Sequence, residues 1–105
     1  MEIQKCYFAS FNVENVEVWS SEFYLDKKSV FSEIEKSKDE ITTRIKDLLF
    51  FVNETGIDKT IQCAVLDLKK NGTYKEKENN FDFFILEKPI WKNFKQKNKI
   101  ENATN

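Results

Sequence analysis

The residues with the clearest chemical capacity in this sequence are lysines set among aromatic rings. From Lys88 to Lys99 the chain reads KPIWKNFKQKNK: Lys88, Lys92, Lys95, Lys97 and Lys99, no acid, and Trp91 and Phe94 interleaved. A second basic cluster, Lys69, Lys70, Lys75 and Lys77, surrounds Tyr74. Lysines neutralise phosphates by releasing counterions, and exposed rings stack on unpaired bases. Together the two clusters are candidates for contact with single-stranded or looped RNA. The same residues also describe a solvated tail whose Trp91 and Phe94 fold back onto the core. The single arginine, Arg44, counts against sequence-specific readout, because arginine is the usual bidentate reader of guanine and phosphate.

Charge is unevenly spread. Residues 1–58 carry 12 acids and 7 bases, whereas residues 59–105 carry 6 acids and 10 bases. In the acidic part, Glu14, Glu17 and Glu22 and the carboxylates that follow are candidates for a surface that competes for a basic nucleic-acid channel on another protein. Trp19, Phe23 and Tyr24 lie in the same stretch. With Phe83 and Phe84 they cannot all face one core, since strand neighbours point to opposite sides of a sheet. Some stand on the second sheet face, where such rings anchor a protein partner or a second copy of the chain, or where the C-terminal segment covers them.

Catalytic chemistry has little to work with. The 105 residues include no histidine, two glycines (Gly56, Gly72) and two cysteines (Cys6, Cys63). That excludes Ser-His and Cys-His nucleophile pairs, imidazole acid–base chemistry and glycine-rich phosphate loops. Cys6 and Cys63 sit in apolar runs and read as small buried hydrophobes. Glu33 and Glu40, two turns apart on one helix face, and Glu76 with Glu78, lack diagnostic metal-ligand spacing. The expectation is a protein without catalytic residues, cofactor or metal site.

Apolar patterning assigns the elements that position these groups. Ile3 to Phe11 and Val16 to Leu25 read as two strands of a hairpin, with polar Asn12 to Asn15 between them and a bulge near Trp19-Ser20-Ser21. Val30, Phe31, Ile34, Ile41, Ile45, Leu48, Leu49 and Val52 recur at helical spacing. They predict one long amphipathic helix, begun by Asp26 or Ser29 and ended by Gly56, with Lys38 interrupting the stripe. Thr60 to Leu68 reads as a third, central strand and Asn71-Gly72 as a hairpin turn. A fourth strand at Phe81–Leu86 starts either at Thr73, as a protruding ribbon, or after a loop over 69–80, and ends at Pro89. The expected fold is α+β: a two-layer ββαββ domain over residues 1–90, with an antiparallel or mixed four-stranded sheet covered by one long helix. Residues 91–105 form a basic C-terminal tail or short helix.

Lys, Asn, Phe, Ile, Tyr and Met make up 49 of the 105 residues, a bias expected of AT-rich coding as in low-GC bacteria, their phages and mobile elements. No stretch approaches the ~20 apolar residues of a membrane span, and the N-terminal residues carry no signal-peptide core. The expected setting is therefore the cytoplasm of a bacterial host. In kind, though through no motif, the chain resembles mobile-element inhibitors such as anti-CRISPR proteins. That implies a small non-enzymatic binding protein that blocks an RNA-guided or nucleic-acid-processing complex sterically or electrostatically. Two other classes stay open: an RNA-binding module using the lysine–aromatic half, and an immunity protein or antitoxin that neutralises one cognate enzyme. The expected partner is a larger protein or ribonucleoprotein, with RNA and a second copy as further candidates and no membrane.

Overall fold

A computed structural model describes residues 3–50 and 52–91. Its elements are β1 (Ile3–Val13), β2 (Val16–Ser20), α1 (Lys27–Lys36), α2 (Lys38–Leu48), α3 (Glu54–Asn71), β3 (Thr73–Glu76) and β4 (Phe81–Trp91). The strands form one sheet in the order β2-β1-β4-β3, and every neighbouring pair is antiparallel. The α+β class and the four-stranded sheet match the sequence pattern. The single covering helix does not, because three helices lie between β2 and β3.

The first hairpin turns at Glu14 and Asn15, both at positive φ (52° and 64°). This is the two-residue geometry whose twist matches that of the strands. The bulge falls nearer the turn than expected. Phe11 pairs with Trp19 and Asn12 with Glu17, which leaves Val18 as the extra residue. Val18 and Trp19 are both buried as a result. Regular pairing stops at Ser20, short of the expected Leu25. Beyond it the Ser21 N–H donates to the Ala9 carbonyl while the Ala9 N–H donates to Ser21 Oγ, and Tyr24 exchanges backbone bonds with Tyr7.

Asp26 starts α1, its carboxylate accepting from the Ser29 N–H at 2.7 Å. The apolar stripe is divided by a break at Ser37, the C-cap of α1. Val30 and Ile34 bury from α1, and Ile41 and Ile45 from α2. Between them Lys38 replaces an apolar turn and reaches Asp58 on α3, Nζ to Oδ1 3.6 Å. At the interruption the Ser37 backbone N–H donates to the Glu33 and Ile34 carbonyls, which closes one helix as the next begins.

The segment expected to be the third strand is helical. In Thr60–Leu68 the fully buried positions are Ile61, Ala64 and Leu68; with Ile57 they repeat every three or four residues. Gln62, Cys63, Leu66 and Asp67 face out. A short apolar run does not separate a central strand from a buried helix by itself; the caps do. Asn53 accepts from Gly56 N–H at 2.7 Å at the start, and Gly72, φ 78°, is the left-handed residue at the end. Gly56 therefore lies in the first turn of α3 rather than ending the preceding helix. Asn71-Gly72 is a helix-to-strand junction rather than a hairpin turn.

After Gly72 the chain enters β3 at Thr73, turns through 77–80 and returns as β4. Thr73 lies opposite Phe84 and Glu76 opposite Phe81. The polar stretch is thus a short paired edge strand and turn, neither a protruding ribbon nor a long loop. Pro89 does not end β4, which runs to Trp91 opposite Ile3. Because β3 stops opposite Phe84, the side of Pro89 away from β1 has no described strand against it, and an edge tolerates the missing N–H. Ile90 and Trp91, expected to begin a helix, are strand; the rest of that segment lies outside the described residues.

All three helices pack on one side of the sheet. Ala9, Phe11, Val13, Phe81 and Phe83 meet Val30, Ile34, Ile41, Ile45, Ile57, Ile61, Ala64 and Leu68 in one cluster. Phe11 and Phe83 stack at 4.2 Å across β1 and β4, and Trp19 meets Phe11 edge-on at 5.3 Å. Burying each such ring is worth about 1.5–3 kcal/mol in transfer free energy.

Candidate functional site

Strand pairing fixes what the other side of the sheet presents. Phe11 and Phe83 point to the helices, so their even-numbered neighbours point away. On β1 these are Cys6, Phe8, Ser10 and Asn12; on β4 they are Asp82, Phe84, Leu86, Lys88 and Ile90, with Phe8 opposite Leu86 and Cys6 opposite Lys88. Among the described residues no helix or strand lies over this face.

Its centre is apolar. Phe8, Phe84 and Ile90 are half-buried, Leu86 is 44% exposed and Phe23 is 38% exposed. Phe23 reaches the face from the segment after β2 and packs on Phe8 with centroids 4.8 Å apart. Lys88 holds its ammonium 5.8 Å from the Phe23 ring, within cation–π range. Cys6 is buried (1% exposed) between these larger groups. Burial pushes its thiol pKa up, and the neighbouring Lys88 charge opposes that rise.

One end of the face is polar and hydrogen-bonded. The Ser10 hydroxyl donates to Glu17 Oε2 at 2.8 Å, and Asn12 Nδ2 donates to Ser10 Oγ at 3.1 Å and to the Asp82 carbonyl at 3.3 Å. Lys75 stands beside Asp82 on the outer strand. The strip along β4 therefore runs from an acid, Asp82, through Phe84 and Leu86, to a base, Lys88.

The structure separates the residues singled out as interface anchors. Trp19 and Tyr24 are 4% and 6% exposed and belong to the helix-covered core, because the bulge at Val18 and the bridge to Tyr7 turn them inward. Tyr24 donates its hydroxyl to Glu33 Oε1 at 2.6 Å, and Glu33 also accepts from the Glu22 N–H at 3.1 Å. Burial first, and then the hydrogen bond to Glu33, raise the Tyr24 pKa. Of the three rings only Phe23 stands at the surface. Glu14 is in the exposed hairpin turn, Glu17 is on the open face, and Glu22 is half-buried beside Glu33.

The basic residues are also dispersed. Lys69 and Lys70 end α3, where Lys69 lies 5.5 Å from the Phe31 ring. Tyr74 points inward, its ring 5.7 Å from that of Phe83; burial, then the nearby Glu76 charge, raise its pKa. Lys75 and Lys88 share the open face, and Lys77 is in the β3–β4 turn. Trp91 closes β4, while Lys92, Phe94, Lys95, Lys97 and Lys99 lie outside the described residues. Sequence reasoning missed Phe8, Leu86 and Ile90 as surface groups. The alternation of Phe81, Phe83 and Ile85 against Phe84 and Leu86 carried that signal.

The acidic candidates have local partners. Glu33 is engaged as above, Glu40 pairs with Arg44, and Glu76 Oε1 accepts from the Asn79 N–H at 3.0 Å. Arg44 also donates to the Val18 carbonyl at 3.0 Å, so the only arginine clamps the bulge. A shallow depression of about 350 Å³ is lined by Asp39, Thr42, Thr55 and Asp58, and one of about 290 Å³ by Glu35, Lys38, Ile61, Gln62 and Val65. No group of three or more metal-binding side chains occurs among the described residues. No described helix is long and apolar enough to cross a membrane. Comparison with protein-family models, with characterised proteins and with solved structures finds no match.

Proposed function

We propose that this chain is a binding protein that acts by docking the open face of its sheet onto a larger protein or ribonucleoprotein. The observation that carries this reading is the apolar surface formed by Phe8, Phe23, Phe84, Leu86 and Ile90 on and beside the two central strands. It has an apolar centre and a polar rim of Asn12, Glu17 and Asp82, the composition of protein-docking surfaces. In its finer form the reading is that of a counter-defence inhibitor, anti-CRISPR-like in kind, which blocks a nucleic-acid-processing complex by covering part of it. Glu14 and Glu17, exposed at the end of the first hairpin, supply the negative charge for an electrostatic component.

A second reading has its own support. Lys75 and Lys88 lie on the same face as Phe8, Phe23 and Phe84, the combination of cations and stacking rings used on single-stranded nucleic acid. Salt dependence separates the two. A protein-docking face gives specific retention of one bacterial protein or complex by the wild-type chain, lost with Leu86→Glu and persisting at moderate salt. An RNA module gives retention of a labelled single-stranded RNA that falls steeply with salt and is lost with Lys75→Glu and Lys88→Glu. Retention of the same protein by wild type and Leu86→Glu alike removes the open face from the function.

A further inference from the structure

The strip along β4 carries an internal antisymmetry. Asp82, Phe84, Leu86 and Lys88 alternate with core residues and point to the same open face, centred on Ile85 opposite Ala9. A half-turn about an axis parallel to the sheet, lying above the open face over Ile85 and perpendicular to the strand, sets a second strip on the first with its ends exchanged. Position 82 then lies over position 88, and 84 over 86. An acid meets a base twice, and Phe84 meets Leu86 twice.

We infer that the open face is self-complementary and that its occupant is a second copy of this chain, packed sheet on sheet with β4 antiparallel across β4. The inference rests on the reading that this face docks protein, and it puts a second copy in place of the larger protein as the occupant. Twofold packing requires one patch that complements itself. Aligned sheets pack about 10 Å apart with their strands within about 30° of each other. At that spacing Phe84 and Leu86 of the two copies interdigitate, and each Asp82–Lys88 pair closes one margin. Phe8 and Phe23 extend the apolar contact toward β2, while Lys75 and Glu17 stay at the rim on the outer strands. Charge favours this occupant over a nucleic acid. Asp82 and Glu17 cancel Lys88 and Lys75, so the face presents no net positive field to a phosphate backbone.

Orientation makes the inference testable by charge exchange. In sedimentation equilibrium on the full chain, the wild type is expected to be a dimer at micromolar concentration. Lys88→Glu sets an acid against Asp82 at both margins and weakens the dimer by about a hundredfold. Asp82→Lys does the same with two bases. An equimolar mixture of the two variants regains a heterodimer of near wild-type affinity, because each new charge meets its opposite. Circular dichroism and urea unfolding on each variant verify that the fold is kept. Leu86→Glu is the second route and leaves the chain monomeric.

A wild-type chain that stays monomeric overturns the proposal, as does a dimer indifferent to Leu86→Glu and Lys88→Glu. Single variants that fail to recover on mixing overturn the antiparallel arrangement. If the chain is monomeric yet Leu86→Glu abolishes retention of a bacterial protein, the docking reading stands and the second copy is excluded. If the monomer instead binds single-stranded RNA with steep salt dependence, and loses it with Lys88→Glu, the face serves nucleic acid and the dimer falls.

Discussion

One sheet, with the same two central strands, presents two unlike faces. Toward the helices, Phe11 and Phe83 stack and Ala9, Val13 and Phe81 complete a layer buried to within a few per cent. On the reverse, Phe8, Phe84 and Leu86 share the face with buried Ser10 and with Asn12, Asp82 and Lys88. Phe8, Ser10, Asn12, Asp82 and Phe84 are each a direct neighbour in the chain of a residue in the first group. Alternation alone decides which phenylalanine stabilises the fold and which is available for contact. Aromatic content therefore says little about either face until register is known.

The largest expected effect tests that division. Phe83→Ala leaves a cavity in the stacked layer and lowers stability by about 3–5 kcal/mol. Leu86→Ala, three residues along on the reverse face, costs less than about 1 kcal/mol when measured dilute enough to keep the chain monomeric. Urea unfolding of the two variants measures the contrast, and equal losses break it.

Next comes Tyr24, at the margin of the covered face. Its pKa is raised above the ordinary 10.0, so between the unfolded and folded values the folded chain holds a proton that the unfolded chain has released. Stability from this group is complete below pH ~10 and is lost as pH rises through the folded value. Tyr74, also raised by burial, adds to the alkaline loss in the same direction. Tyr24→Phe removes a hydrogen bond worth about 1 kcal/mol at neutral pH. It also makes the decline of the urea midpoint above pH 10 shallower than in wild type. An unchanged alkaline slope excludes Tyr24 as a source of it.

The cysteines give the smallest test of stability and a clear one of access. Cys63 is exposed on α3 and Cys6 buried on the open face. Titration with a thiol reagent is expected to show one fast and one slow reaction, and the slow one belongs to Cys6. Cys6→Ala leaves only the fast phase. Two fast phases in wild type show that the open face does not protect Cys6.

How much of this was legible depended on whether a pattern had one structural solution. The N-terminal hairpin, the apolar stripe from Val30 to Ile45 and the strand beginning at Phe81 could be read directly. Thr60–Leu68 could not, because Ile61, Ala64 and Leu68 fit a buried helix while the unbroken run TIQCAVLDL equally fits a central strand. The decisive signals are Asn53 and Gly72, which cap an eighteen-residue helix; Asn71-Gly72 fits a hairpin turn equally well, and Asn53 falls within the span expected for the single long helix. For the site, the need for an exposed aromatic face followed from Phe83 next to Phe84. Its membership did not, since the bulge at Val18 turns Trp19 inward and only pairing to β1 brings Phe23 onto Phe8.

The pairing of β1 with β4 joins almost the two ends of the described chain, Ile3 with Trp91. Local order cannot supply this seam. The helices can form from nearby residues, but the sheet beneath their apolar sides is incomplete until β4 has been made and has paired with β1. Closing so long a loop is the entropic toll of the fold. During synthesis the growing chain carries Val30, Ile34, Ile41 and Ile45 unsheltered for most of its length. Its risk of misassembly is therefore greatest before β4 arrives, and a break anywhere in β4 leaves the whole helical layer without support.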